Sequence, residues 1–249
     1  MSTGDTTASR PDLARLVNLR DVGGMPTGDG RLTRTGVLYR SEAPRRDDWS
    51  PSADFEWPPR TVIDLRSPVE RGSGAHPLAS DRTAVHVIPL LGDVDPTDRT
   101  SSATRALSGG LDALYLAILS LAAEKVVQIL HLAVDAPAPL LVHCAAGKDR
   151  TGLVVAVLLR AAGVETDAVL TDYAATATNM PGVLSRMGAH PLLPVGGGMD
   201  GPDMTGISAP AVERVLAIID GHCGGARGWL ADNGARPGAV HAWESRLLS

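Results

Sequence analysis

Short apolar runs bounded by glycine and proline recur in the first part of the chain. Runs of this kind, with turn residues at their ends, predict the strands of a sheet. The runs that fit this pattern lie at residues 18–24, 36–43, 60–67, 84–90 and 139–144. The run at 60–67 is rich in β-branched residues, which favours a strand buried on both faces.

A second pattern, with apolar residues at spacings of three and four, predicts helices. It is longest at residues 107–133, where it predicts one amphipathic helix. Further helices are predicted at 151–162, with Gly163 as the C-terminal cap, at 165–178, at 210–220, and as two short helices within 229–248. Strands that alternate with helices predict an α/β domain, with a central, mostly parallel sheet flanked by helices on both faces.

The chain has 249 residues, 44% of them hydrophobic, which is enough material for one globular domain. We place this domain at residues 13–249, after a polar tail at 1–12 that we expect to be disordered. The glycine-rich residues 194–206 are predicted to form a mobile surface loop, with a lid over a pocket as the alternative.

The charge and cysteine content narrow the possible functions. The formal net charge is −5 and the 23 Lys and Arg residues are scattered, which argues against a nucleic-acid partner and requires any anion site to be a local positive pocket. Cys144 and Cys223 are too few for a disulfide framework and lack metal-ligand spacing, so we expect free thiols, as in a reducing compartment. The histidines without partners at ligand spacing are His76, His86, His131, His190, His222 and His241.

The N-terminal residues lack the apolar core of a signal peptide, and no segment offers about eighteen uninterrupted apolar residues. We therefore expect a cytoplasmic protein. Export by a route that needs no signal peptide is the alternative.

The most informative segment is HCAAGKDRTG, residues 143–152, which predicts a loop between a strand and a helix. Such a loop directs backbone N–H groups into its centre, and the helix N-terminus there favours an oxyanion. Gly147 permits the turn, and Arg150 offers a planar fork for two phosphate oxygens. The predicted phosphate-binding residues are Ala145, Ala146, Gly147, Lys148, Asp149 and Arg150.

The same positive field should favour the thiolate of Cys144, making it a nucleophile near neutral pH. Attack on phosphorus would give a cysteinyl-phosphate that water then cleaves. We expect His143 to orient the loop or support the thiolate, and Thr151 to hydrogen-bond to the sulfur.

HCAAGKDRTG matches the HCxxGxxRTG signature of the tyrosine and dual-specificity phosphatase superfamily. Together with NLRDVGG, LYRSEA and DLRS, it resembles the atypical bacterial tyrosine phosphatases whose loop reads GKDR. The resemblance implies a phosphatase-type α/β fold, no metal, and a phosphotyrosine substrate. In some members the substrates include phosphoserine, phosphothreonine or phosphoinositides.

A leaving phenolate or alkoxide needs a proton, so a general acid is expected. Asp149 is the first candidate, because a carboxylate beside a bound phosphate dianion is unfavourable unless it is protonated or faces the leaving group. Asp64, with Arg66 beside it to position the site, is the second candidate. The acidic loop containing Asp93, Asp95 and Asp98 lacks the usual family motif and is predicted to be solvated.

Lys148 is expected to extend the positive rim of the pocket, and lysine at this place resembles phosphatases that accept phosphoinositides. The preferred hypothesis is that the chain is a protein tyrosine phosphatase. The alternatives are a dual-specificity or phosphoinositide phosphatase and a phosphate-binding signalling module without turnover. Sulfur or arsenate chemistry on a similar loop is disfavoured by the RTG continuation and the preceding histidine.

Overall fold

The computed structural model describes residues 15–46, 48, 55–90, 110–188 and 208–249. Within these residues five strands form one sheet in the order β1-β2-β5-β3-β4. The strands are β1 (Arg20–Asp21), β2 (Leu38–Ser41), β3 (Thr61–Asp64), β4 (Ala84–Val87) and β5 (Leu140–His143). All neighbouring strands are parallel except β1, which runs antiparallel to β2. The predicted strands are therefore confirmed, each shorter than its apolar run.

The strand order places β5 at the centre of the sheet, between β2 and β3. His143 at its end is in register with Ser41 at the end of β2 and with Asp64 at the end of β3. The carboxyl ends of three parallel strands therefore lie side by side. Ligands of open α/β sheets bind in the crevice outside these ends, which is where the loop after β5 begins.

The helices follow the predicted order, except that the short helix α1 was not predicted. They are α1 (Pro68–Arg71), α2 (Gly110–Leu121), α3 (Ala123–Asp135), α4 (Asp149–Ala161), α5 (Thr166–Met187), α6 (Ala209–Asp220), α7 (Gly225–Asp232) and α8 (Ala239–Leu247). The α/β class and the mostly parallel sheet predicted from the sequence are confirmed. The predicted tail at 1–12, the acidic loop with Asp93, Asp95 and Asp98, and the loop at 194–206 lie outside the described residues.

The prediction of a single long helix at 107–133 is wrong in one respect. Residues 110–135 form two helices, α2 and α3, which meet at Ala122 with a bend of 70°. A continuous apolar period does not reveal the bend, because each half buries its own apolar side chains, α2 against α6 and α3 against α8. No single helix in the described ranges is long and apolar enough to cross a membrane. The bent pair of α2 and α3 reaches that length and apolar character only when the two helices are counted together.

Helix α5 is longer than predicted. The pattern predicted an end at Thr178, before Asn179, Met180 and Pro181, yet the helix continues through Pro181 to Met187. Met180, Val183 and Arg186 beyond the predicted end are buried. Their packing offsets the helix-breaking tendency of the proline, which local propensity alone would not indicate.

The two faces of the sheet are covered differently. Alternate strand residues such as Leu38, Ile63 and Val142 join the large core that receives the buried residues of α2 to α8. The opposite face presents a small cluster, Tyr39, Val62 and Leu141. In the described part of the chain, loop side chains, including Phe55, Trp57 and Leu78, pack on this cluster.

A buried ion-pair group joins the sheet to α5. Arg40 in β2 is 1% exposed, and its guanidinium donates a hydrogen bond to Asp172 in α5. Arg20 in β1 binds the other carboxylate oxygen, with Nε 2.6 Å from Asp172 Oδ1, and its Nη2 donates to Thr176 Oγ1. Burial alone would raise the pKa of Asp172, but the charges of Arg40 and Arg20 outweigh burial and lower it. Asp172 is therefore an ionised anchor between the sheet and the helix.

Replacing Asp172 by Asn should leave the buried Arg40 and the partly buried Arg20 without the carboxylate that pairs with both. We expect the free energy of unfolding to fall by about 3 kcal/mol, the usual cost of removing one partner of a buried pair. Urea unfolding followed by tryptophan fluorescence measures this. The control is Asp135→Asn, which breaks an exposed pair with Arg236 and should leave the midpoint unchanged. Equal midpoints for the two variants would contradict the anchoring role.

Candidate active site

The loop between β5 and α4 turns tightly at Gly147. This residue has φ of +69°, which favours glycine. A Cβ atom added there would lie 2.3 Å from the carbonyl oxygen of Ser41 at the end of β2. The loop therefore packs directly on the backbone of the neighbouring strand, and a side chain at this position would displace one of the two segments.

Three carbonyl groups of the loop are held on its outer side. Ala43 N donates to the oxygen of Ala145 at 3.0 Å, Asn18 Nδ2 donates to that of Ala146 at 3.1 Å, and Arg40 Nη2 donates to that of Gly147 at 2.9 Å. In a trans peptide the N–H points away from the C=O of the same unit. The N–H groups of the next residues along the chain therefore point to the inner side of the loop.

Two of the inner N–H groups are available to a ligand. Among the described residues, the backbone N–H groups of Ala146 and Gly147 donate to no protein acceptor. Helix α4 begins at Asp149, so its unpaired first-turn N–H groups and the positive end of its dipole face the same space. Together these groups form a cradle for an oxyanion next to Cys144, which is buried at the end of β5.

Arg150 is held by a residue that the sequence reasoning missed. Glu70 in α1 accepts two hydrogen bonds from it, Nη1 to Oε2 at 2.6 Å and Nη2 to Oε1 at 2.5 Å. Burial alone would lower the pKa of Arg150, but its hydrogen bonds to Glu70 and the proximity of Cys144 outweigh burial and raise it. Arg150 is thus a permanent cation whose end is fixed, leaving Nε without a described protein acceptor.

Asp149 lies in a different environment. Its Oδ1 accepts a hydrogen bond of 2.7 Å from the hydroxyl of Tyr115 in α2, which in turn bonds to the hydroxyl of Tyr173 in α5. Burial raises the pKa of Asp149, and the charge of Lys148 and the bond from Tyr115 oppose this only in part. Asp149 is therefore a carboxyl whose protonated form is favoured by its surroundings.

Lys148 does not lie on the rim of the pocket, where we expected it. The side chain is 2% exposed, and Nζ lies 3.5 Å from Asp149 Oδ1. Because it is enclosed beside the carboxyl group, its charge acts first on Asp149.

Asp64, the second candidate for the acid, has surroundings opposite to those of Asp149. Its carboxylate is buried and accepts hydrogen bonds from the backbone N–H, Nε and Nη2 of Arg66, at 2.7 to 3.0 Å. Burial alone would raise the pKa of Asp64, but the proximity of His143 and the charge and bonds of Arg66 lower it to about 2. A carboxylate that stays ionised cannot supply a proton near neutral pH, so this geometry argues against the acid role for Asp64.

His143 lies in a chain of hydrogen bonds that fixes its ring. Its Nδ1 lies 3.2 Å from the Cys144 carbonyl oxygen, so this nitrogen carries the proton. Its Nε2 then accepts from His76 Nε2 at 3.0 Å, while His76 Nδ1 accepts from the N–H of Leu78. Burial lowers the pKa of each histidine to about 4, so both rings are neutral near pH 7. The structure thus fixes the ring of His143 beside Cys144.

Asp64, His76 and His143 also form a cluster whose potential ligand atoms all lie within 4.8 Å of one another. This cluster could not be predicted from the sequence, since His76 has no ligand spacing with the loop. Both histidines are already committed to hydrogen bonds and Arg66 occupies the carboxylate, so a cation would have to displace these contacts. Hydrogen bonding accounts for the cluster better than metal binding does.

The expected bond from Thr151 to the sulfur is not formed. Thr151 is fully buried in α4, and its hydroxyl oxygen has no hydrogen-bond partner among the described residues. The prediction followed the loop signature, whereas the helix start places the hydroxyl away from an acceptor.

Several residues that shape the site have only weak sequence signals. Asn18 and Arg40 belong to the segments NLRDVGG and LYRSEA, which were noticed for their resemblance and not for a role. Tyr115 and Tyr173 lie in predicted helices whose patterns indicated no function, and Glu70 lies outside every predicted element. Their distance in sequence from the loop explains why spacing could not reveal them.

Comparison with known proteins agrees with this geometry. A model of the tyrosine phosphatase family matches residues 11–249. Over 200 residues the chain is 32% identical to the triple specificity protein phosphatase PtpB of Mycobacterium tuberculosis, covering 68% of this chain and 70% of that protein. Over 175 residues it is 33% identical to a protein of Cupriavidus necator that bears the name of a tyrosine-protein phosphatase, covering 66% and 62% respectively. The chain therefore belongs to the tyrosine phosphatase family.

Proposed function

We propose that this phosphatase hydrolyses phosphotyrosine through a cysteinyl-phosphate formed on Cys144. The observation that carries the proposal is the inward orientation of three loop N–H groups between Cys144 and the fixed guanidinium of Arg150. This combination supplies a nucleophile and an oxyanion site in one loop.

Phosphate binding would use the backbone N–H groups of the loop and the side chain of Arg150. The N–H groups of Ala146 and Gly147 would donate to the non-bridging oxygens. Arg150 is held end-on by Glu70, so Nε and the second hydrogen of a terminal nitrogen are left to bind two of these oxygens side-on. Charge that develops on the oxygens in the transition state then meets fixed donors.

In the first step the Cys144 thiolate would form the S–P bond while the bond from phosphorus to the tyrosine oxygen breaks. The leaving phenolate takes the proton of Asp149. In the second step the Asp149 carboxylate would accept a proton from a water whose oxygen attacks phosphorus. The S–P bond breaks, inorganic phosphate leaves, and the thiolate and the protonated Asp149 are restored.

The choice of Asp149 over Asp64 follows from their environments. Burial favours a proton on Asp149, while Arg66 keeps Asp64 ionised. Two carboxyl groups whose surroundings shift their pKa values in opposite directions divide the roles of acid and structural partner. In this proposal Asp64 and Arg66 hold the wall of the site.

Broader specificity is the second candidate within the phosphatases. The name of the M. tuberculosis relative states a triple specificity, which supports testing phosphoserine, phosphothreonine and phosphoinositide substrates beside phosphotyrosine. A phosphate-binding module without turnover is less well supported, because Cys144 and Arg150 are both present in a formed loop.

Cys144→Ser should abolish phosphate release, lowering kcat by at least about 10³-fold because the nucleophile is lost. The measurement compares a phosphotyrosine peptide and a soluble phosphoinositide, under reducing conditions and without added metal. Cys223→Ser, at an exposed cysteine outside the loop, is the matched control and should keep full activity. Equal turnover by Cys144→Ser and the native protein would refute the mechanism. The ratio of the kcat/KM values for the two substrates would decide between a tyrosine phosphatase and a phosphoinositide phosphatase.

Asp149→Asn should lower kcat about 10²-fold on phenyl phosphate, whose leaving group needs a proton. On 4-nitrophenyl phosphate, whose leaving group departs readily, the loss should be several-fold smaller. The ratio of kcat values for the two substrates isolates proton donation from damage to the loop. Full turnover of phenyl phosphate by this variant would exclude Asp149 as the acid.

Tyr115→Phe should shift the pH profile. Its hydroxyl stabilises the Asp149 carboxylate, so its removal raises the pKa of Asp149 further. Because the acid must be protonated, the alkaline limb of kcat/KM should move to higher pH. Tyr39→Phe, on the opposite face of the sheet, is the control and should leave the limb in place. A shift to lower pH in Tyr115→Phe would contradict the assignment.

A further inference from the structure

A cleft of about 880 Å³ opens beside the phosphate loop. Ala145, the residue after the nucleophile, forms part of its wall, and so does Glu70, the partner of Arg150. The cleft therefore adjoins the position of the transferred phosphate. Its size is that of a site for a ligand larger than a single phosphate group.

Arginine dominates the charge of the cleft. Five arginines line it against three carboxylates, and they are Arg45, Arg46, Arg66, Arg71 and Arg186. Arg66 is paired with Asp64, and Arg186 with Asp48 and Glu42. Within the described part of the chain, Arg45 and Arg71 form no ion pair. The whole protein has a net charge of −5, so this local excess of positive charge runs against its overall balance.

Arg71 has a guanidinium nitrogen without a hydrogen-bond partner in the described residues. This nitrogen, Nε, is buried. A buried N–H of a cation without an acceptor costs free energy, and such groups in native structures call for a functional explanation. Arg71 follows Glu70 in α1, so its position relative to Arg150 is fixed by the same short helix.

Arg45 also lines the cleft. Its backbone N–H binds Asp48 Oδ2 at 2.7 Å, which fixes the main chain, while Asp48 itself is bound by Arg186. Burial and the charge of Arg186 lower the pKa of Arg45, so its cation is not fully compensated by the protein. Both arginines line the cleft, so an anion bound there would supply the counter-charge that they lack.

The remaining wall favours a peptide over a sugar polyphosphate. Pro44, Pro77, Val85 and Val87 contribute apolar surface beside the arginines. An extended peptide presents both apolar and acidic side chains to such a surface, whereas an inositol polyphosphate is polar throughout and would leave the apolar wall unmatched.

We propose that Arg45 and Arg71 form a second anion subsite, which binds an acidic side chain close in sequence to the phosphotyrosine of a peptide substrate. This inference rests on the proposed function and adds a substrate class to it: phosphotyrosine peptides with a neighbouring glutamate or aspartate. Hydrogen bonds from a guanidinium to a carboxylate are among the stronger ones available in proteins.

The experiment measures kcat/KM on two phosphotyrosine peptides that differ only in glutamate or alanine on both sides of the phosphotyrosine. The native protein should prefer the glutamate peptide about 10-fold, and the preference should fall to about 2-fold or less in the double variant Arg45→Gln with Arg71→Gln. Activity on 4-nitrophenyl phosphate should stay within about 2-fold in all proteins, because that substrate does not reach the subsite.

Arg236→Gln is the control for a change of surface charge outside the cleft. Its guanidinium pairs with Asp135 at the end of α3, before the amino end of β5 and away from the phosphate loop. It removes one positive charge without touching the cleft and should keep the full preference. A preference that fell equally in Arg236→Gln would show general electrostatic attraction and overturn the subsite.

The other outcomes are equally decisive. Turnover of both peptides without a preference in the native protein would overturn the subsite and leave the phosphatase reaction standing. A preference kept by the double variant would also overturn it. If the double variant lost activity on a soluble phosphoinositide but not on the glutamate peptide, the cleft would be a lipid headgroup site and the peptide assignment would fall. Absence of turnover on every substrate would instead count against the proposed function.

Discussion

The arrangement of the site depends on the orientation of the peptide groups in the loop after β5. Backbone N–H groups converge on one point only if the carbonyl groups of the same peptides are held elsewhere. Asn18, Arg40 and the N–H of Ala43 provide these outer contacts, and Gly147 allows the loop to approach Ser41 closely enough to make them. Arg40 in turn is held by Asp172 in α5. The oxyanion cradle is therefore built by residues from β2, α5 and the segment before β1.

The two carboxyl groups near the loop show how the same chemical group acquires different roles. Asp64 is surrounded by donors from Arg66, which stabilise its charge. Asp149 is enclosed by the protein, but fewer groups stabilise its charge. These are the hydroxyl of Tyr115 and the ammonium group of Lys148. The difference lies in the number of donors and cations around each group, and it sets which one can exchange a proton near neutral pH.

The distribution of charge is also local. A protein with a net negative charge would repel a phosphorylated substrate at long range, yet the first few ångströms around the loop are positive. Arg150 is fixed by Glu70, and the cleft beside it carries more arginines than carboxylates. Salt screens the long-range repulsion within about 10 Å, so the short-range contacts of the pocket determine binding.

The sequence by itself determined the α/β class, the order of strands and helices, and the identity of the loop with Cys144 and Arg150. These features are local: they depend on residues within about ten positions of each other, where periodicity and spacing carry the information. The tertiary structure decided the bend between α2 and α3, the burial of Lys148, the partner of Arg150 and the ionised state of Asp64. It also brought His76 to His143 and Tyr115 to Asp149. Each of these depends on contacts between elements distant in sequence, and burial and pairing at such contacts set the charge state of a side chain, which its residue type alone does not.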